Sequence, residues 1–170
     1  PNIEIQSIIT NDILDLTKEN IDIAFRAGKL QDSSLIQKKL MHANFIFVAS
    51  KNYLEKYGYP SKLTYLIKFK YLSFKNMEKS WFKNKLNVKP FFQSDNIPML
   101  LNMVRYAEGI TILPDYFCKD YLETGELIRL FPNWKSPTEN IHMLYHQSKN
   151  SSNAVRKFIE NASNYKKYTI

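Results

Sequence analysis

Residues 94 to 131, SDNIPMLLNMVRYAEGITILPDYFCKDYLETGELIRLF, alternate between the two periods with which a backbone buries one face. Ile97, Leu100, Leu101 and Val104 recur at helical spacing behind three candidate caps, Ser94, Asp95 and Asn96, with Pro98 in the first turn. Gly109 stands where a left-handed helix cap is expected, and Ile110 to Leu113 then reads as a short buried strand stopped by Pro114. A second helix turns Phe117, Tyr121 and Leu122 inward and ends at Gly125, and Leu127 to Phe131 is again extended. Helix, strand, helix, strand in so few residues requires an α/β layer fold.

The same reasoning extends along the chain. Alternation predicts a strand over Ile3 to Ile9, and Thr10 or Asn11 then caps a helix that closes at Asn20. Ile21 to Phe25 reads as the next strand, with Arg26 at its end and Gly28 in the loop beyond. Leu35 to Leu40 is too mixed to assign. The run NFIFVA, Asn44 to Ala49, is a strand; Ser50 caps a short helix that ends at Gly58, and Lys62 to Lys68 is another helical piece. Tyr71 to Phe74 is a brief strand, and Trp81, Phe82 and Val88 to Phe92 suggest a hairpin whose Pro90 marks an edge. A last strand alternates through Ile141, Met143 and Tyr145. Ser152 or Asn153 then caps a final helix carrying Val155, Phe158, Ile159 and Ala162 on one stripe, and its end from Asn164 is expected to fray.

Composition narrows the function classes. A chain of 170 residues with 44% apolar content is globular. No apolar run approaches the roughly 20 residues of a membrane span, so no membrane partner is expected. One cysteine excludes an internal disulfide and a cysteine-type zinc site. The formal charge of +8 is carried by scattered lysines rather than by the patch that nucleic-acid binding requires. An initial Pro in place of Met suggests a fragment.

Catalytic constellations are missing from the sequence: there is no GxSxG, GxGxxG, GxxxxGK[ST] or HExxH. His142 and His146 would align as metal ligands on a helix, but in a strand they stand about 13 Å apart, and no third ligand converges. Cys118 lies among Phe117 and Tyr121 and reads as a small buried hydrophobe. Trp81 and Trp134 are either stacking platforms or packing anchors. We therefore expect no catalytic residue, no metal and no cofactor.

With the segments in place, IDIAFRAGKLQDSSL, FIFVASKNYLEKYGYP, YLSFKN, the GITILPDY turn and LETGELIRLFPNW resemble, in order and spacing, the effector-binding domain of LysR-type transcriptional regulators. The resemblance runs from about Ile3 to Ala162. It implies a cytoplasmic, non-enzymatic sensor of two Rossmann-like lobes joined by a two-strand hinge, similar to type 2 periplasmic binding proteins. Residues 1–43 with 145–170 would form the first lobe and 44–144 the second. The implied partner is a small-molecule effector, an organic anion among the candidates. DNA would be bound only through an N-terminal domain outside this chain. The alternative is a solute-binding protein of a transport system.

By position in that family, the effector site would comprise Thr10, Asn11, Arg26 and Gly28 from one lobe, and Phe74, Ser94, Asp95, Asn96 and Pro114 from the other. Each has a plainer reading: Arg26 as a tie between strand end and loop, Thr10 and Asn96 as helix caps, Phe74 as core. The resemblance also implies that the family's first strand and helix are absent here, leaving the first lobe incomplete. Either Ile3 to Ile9 slides beside Ile21 to Phe25, or the chain self-associates through this lobe, since open strand edges template pairing.

Overall fold

NFIFVA organises the larger of two sheets. In the structure, a computed structural model describing residues 3–28, 30, 34–75, 81, 88–147 and 152–164, β3 (Phe45–Ser50) is buried along its whole length. Such a strand must be covered on both faces and paired on both edges. It runs antiparallel to β6 (Ile110–Pro114) on one side and to β7 (Leu127–Leu130) on the other. Beyond β6 lie β4 (Tyr71–Phe74) and β5 (Phe92–Ser94), parallel to one another, with β4 parallel to β6. The chain divides into two compact units, Pro1–His42 with Glu139–Ile170, and Ala43–Thr138. This five-stranded sheet belongs to the second.

Among the described residues, α-helices and a 3₁₀ helix flank that sheet. Ser50 starts α1 (Lys51–Tyr57), its hydroxyl accepting from the Tyr53 amide at 3.3 Å. Leu63–Lys68 is a 3₁₀ helix. Asn96 starts α2 (Ile97–Arg105), and its side-chain oxygen accepts from the Met99 amide at 2.8 Å. Pro114 precedes α3 (Asp115–Glu123). Leu100, Leu101 and Val104 of α2 and Cys118 of α3 meet Ile46, Val48, Leu72, Leu113 and Leu127 of the sheet in one core. Phe47 lies against Phe131 and Trp134, at ring separations of 5.2 and 4.8 Å.

Two expectations change here. Gly109 has no left-handed backbone; that conformation falls on Ala107, with φ 60°. Glycine is required at 109 because a Cβ would stand 2.4 Å from the Lys70 carbonyl oxygen. The hairpin expected between Trp81-Phe82 and Val88 to Phe92 falls mostly outside the described residues; Trp81 itself is helical rather than extended, and Phe92 pairs in parallel with Leu72 of β4. Phe82 lies outside the described residues, and β5 is an edge, as Pro90 suggests.

The first unit holds a three-stranded sheet in the order β1 (Ile23–Ala27), β8 (Glu139–His146), β2 (Leu35–Ala43). β1 and β8 are antiparallel, Arg26 opposite His142. Because β8 pairs here, the strand that the sequence division places mostly in the second lobe lies in the first unit. Leu35 to Leu40, unassigned by pattern, is the start of a nine-residue strand. The final helix, α4 (Asn153–Asn164), is capped by Ser152, whose hydroxyl accepts from the Val155 amide, and Phe158 meets Phe25 edge-on.

The expected strand over Ile3 to Ile9 and the helix to Asn20 are not formed. Alternation marks a face that could be buried, but a strand also needs a partner's hydrogen bonds, and among the described residues none pairs with this segment. Ile3, Ile5 and Ile9 are 63%, 74% and 95% exposed. The segment neither slides beside β1 nor joins another ladder. Residues 10–20 are turns instead: the Thr10 hydroxyl accepts from the Asp12 amide and the Asp15 carboxylate from the Thr17 and Lys18 amides. Leu16 alone of this stretch is fully buried. Among the described residues no helix is long and apolar enough to cross a membrane.

Candidate functional site

The second unit gathers five of the expected site residues at one place. β4, β5 and β6 are mutually parallel, so their carboxyl ends open on the same side of the sheet. Phe74 ends β4, Ser94 ends β5 directly beside it in register, and Pro114 ends β6. Asp95 and Asn96 link β5 to α2. The carboxyl ends of parallel strands are where open α/β sheets take ligands, because helix N-termini and loop groups converge there.

The donors at that helix start are largely in use. Asn96 occupies the Met99 amide, Pro98 has no N–H, and the Leu100 amide donates to the Asn96 carbonyl at 3.2 Å. The Ser94 hydroxyl accepts from the Asn96 amide at 3.0 Å and holds the turn. Phe74 is half-buried against the core and offers an apolar wall. At Pro114 the chain is fastened by the Asp115 amide donating to the Asn44 carbonyl at 2.8 Å.

In the first unit the expected residues separate. Arg26 donates from Nη2 to the Leu14 carbonyl at 2.6 Å, so its guanidinium ties β1 to the preceding turn, the plainer of the two readings. Gly28 follows with φ 89°, its amide donating to the Asn140 carbonyl at 3.0 Å. Thr10 and Asn11 lie in exposed turn rather than at a helix start, so they present no helix N-terminus to an anion.

Pattern reading weighed His142 only as a metal ligand and did not place it beside Arg26. It faces Arg26 across β1 and β8, and its Nδ1 is buried with no hydrogen-bond partner among the described residues. Strand register brings it to Arg26, and register is invisible before the pairing of β1 with β8 is known. His146, on the same face of β8, meets the Thr17 hydroxyl at 3.1 Å. A recess of about 410 Å³ between β2, β8 and α4, lined by Ile36, Lys38, Tyr145, Arg156, Ile159 and Glu160, was equally hidden, since three distant segments form it.

The remaining reactive groups are quiet. Burial, and then Asp115, pushes the Cys118 thiol up to about 12, so it holds its proton at neutral pH. Burial likewise raises Tyr116, with Asp115 adding to it. Trp81 packs on Phe45 and Trp134 on Phe47, which makes both of them packing anchors.

Comparison with known proteins places these features. The family model described as LysR substrate binding domain matches residues 1–165. An uncharacterised HTH-type transcriptional regulator of Haemophilus influenzae is 32% identical over 153 residues, covering 85% of this chain and 53% of that protein. The HTH-type regulator CrgA of Neisseria meningitidis is 26% identical over 168 residues, covering 94% of this chain and 56% of the regulator. The chain thus spans about half the length of the curated relatives it matches. Among solved structures, the full-length virulence activator AphB of Vibrio cholerae superposes with TM-score 0.79 at 26% identity, covering 96% of this chain and 58% of that one. The CrgA regulatory domain gives TM-score 0.77 at 25% identity, covering 86% and 76%.

Proposed function

Because the chain belongs to the LysR substrate-binding domain family, whose fold is of the type 2 periplasmic-binding-protein class, we propose that it is the effector-sensing part of a LysR-type transcriptional regulator. In this reading its two units are the two lobes of the sensor. It works in the cytoplasm, recognises a small molecule and acts on DNA through a helix-turn-helix elsewhere in the longer protein. Regulators among the relatives favour this over a transport solute-binding protein.

The observation that carries the reading is the convergence of Phe74, Ser94, Asp95, Asn96 and Pro114 at the carboxyl ends of three parallel strands. An apolar ring, a hydroxyl, a carboxylate and an amide at a helix start suit a small amphipathic molecule, with an organic anion the first class to try.

Calorimetric titration of the chain with a panel of aromatic and aliphatic carboxylic acids tests this. Ser94→Ala and Asp95→Asn are expected to change the affinity of any acid that binds while leaving the melting temperature close to that of the parent. An acid whose affinity neither substitution alters, and whose NMR shifts map away from these strand ends, would overturn the site.

A further inference from the structure

The lysines of the second unit are spaced too widely along the chain to read as a cluster, yet the fold gathers five of them beside exposed rings. Within residues 51–70, Lys51, Lys56, Lys62, Lys68 and Lys70 stand against a single Glu55. Tyr57, Tyr59 and Tyr65 of the same stretch, with Phe91 next to Lys70, are 44% to 60% exposed. Lysines alone would make a solvated face; large rings left in water among them mark a binding surface.

Buried Tyr53 fixes the arrangement. Its ring lies 4.7 Å from Tyr57 and 6.5 Å from Phe69, and its hydroxyl accepts from the Lys70 amide at 3.0 Å, so the end of α1 and the end of the 3₁₀ helix are held together. The Phe91 amide donates to the Tyr71 carbonyl at 2.8 Å, which keeps Phe91 beside them. On this frame an ammonium and a ring recur as a pair three times: Lys56 over Tyr57 and Lys68 over Tyr65, each at 5.2 Å, and Lys70 over Phe91 at 4.6 Å. Lys56, Lys62 and Lys68 have no carboxylate partner among the described residues. Nor do Tyr59, Tyr65 and Phe91 pack on another ring there, which leaves ring surface for a ligand.

We propose that this face binds single-stranded nucleic acid without regard to sequence, its rings stacking on bases and its ammonium groups meeting phosphates. A single strand repeats one flat base and one negative charge per nucleotide, and ring and ammonium alternate here in the same way. Duplex fits less well, because its bases are stacked on one another and leave the tyrosines nothing to cover. An acidic protein would answer the charge without using the planar faces. The surface lies wholly within the second unit and shares no residue with the strand ends proposed for the effector, so it does not rest on that reading.

Fluorescence anisotropy of the 170-residue chain with labelled oligo-dT and oligo-U of about 20 nucleotides, and with a duplex of the same length, tests the proposal. Single strands should bind more tightly than duplex, and three or four lysine–phosphate contacts should give a slope of log K against log salt of about −2 to −3. Lys56→Glu with Lys62→Glu and Lys68→Glu should abolish binding. Lys119→Glu with Lys135→Glu and Lys157→Glu makes the same change of charge at exposed lysines outside the face, and at about 0.1 M salt it should leave affinity within about threefold. Tyr59→Ala and Phe91→Ala should each weaken single-strand binding about tenfold, with the melting temperature and the salt slope unchanged. Binding of either sugar type supports the proposal, and the tighter of the two names the preferred strand. It is overturned if neither strand binds at about 0.1 M salt, if both triple variants lose binding alike, or if the aromatic substitutions are silent. Displacement of the strand by polyglutamate as readily as by unlabelled oligonucleotide would also overturn it, and would assign the face to an acidic protein.

Discussion

The two units differ in how far each completes its own interior. In the second, all six residues of β3 are buried; in the first, none of the twelve residues of α4 is. One sheet is flanked by helices whose apolar faces meet in a single core. The other has three strands, an isoleucine-rich segment in no ladder, and β1 as an edge whose Phe25 is half exposed. A fold class can therefore be shared by two regions that differ in their dependence on what surrounds them. Stability resides in one and unsatisfied surface in the other.

That contrast can be broken most forcefully in the second unit. Leu72→Ala removes a fully buried side chain from the core and is expected to cost about 2–5 kcal/mol. Both tryptophans lie in this unit, so their fluorescence reports the loss directly, as an earlier urea midpoint. Should Met143→Ala in the first unit shift the same tryptophan transition equally, the two regions share one cooperative transition and the comparison fails. Gly109→Ala comes next, at about 1–3 kcal/mol, because the new methyl is forced on the Lys70 carbonyl and the backbone must give.

Smaller effects sharpen the picture. Asn96→Ala deprives the Met99 amide of its acceptor and should lower stability by about 1 kcal/mol, read in the same titration. Ile9→Ser, at a side chain almost wholly in water, should move stability by no more than about 0.5 kcal/mol. Native-state hydrogen exchange orders the same sites: β3 amides exchange only through the deepest opening of their unit, and amides of residues 3–9 exchange nearly freely.

Much of the second unit was legible because its signals are local. The run from Phe45 to Ser50, the Ser50 and Asn96 caps and the α2 stripe all lie within a few residues of what they specify. What escaped depends on partners distant in sequence. β2 carries Gln37, Lys38 and Lys39 in its middle and is held as a strand by pairing rather than by its own pattern. The segment from Ile3 to Ile9 has the pattern and lacks the pairing. Gly109 was recognised as necessary for the wrong reason, since the close approach of Lys70 comes from a neighbouring strand. The candidate site followed the same division: position in the resembled family pointed to Phe74, Ser94 and Asn96, which the structure brings together at neighbouring strand ends, whereas the tie of Arg26 to Leu14 and the place of His142 beside it required the register of β1 with β8.

To a protease the Arg26 tie is a boundary. Residues 3–13 are exposed and belong to no ladder among the described residues; from Leu14 onward the chain is held first by a guanidinium and then by the buried side chain of Leu16. Limited digestion should trim the chain to a ragged new beginning just before Leu14 and then pause. The trimmed product would retain both sheets and have shed most of the exposed isoleucines.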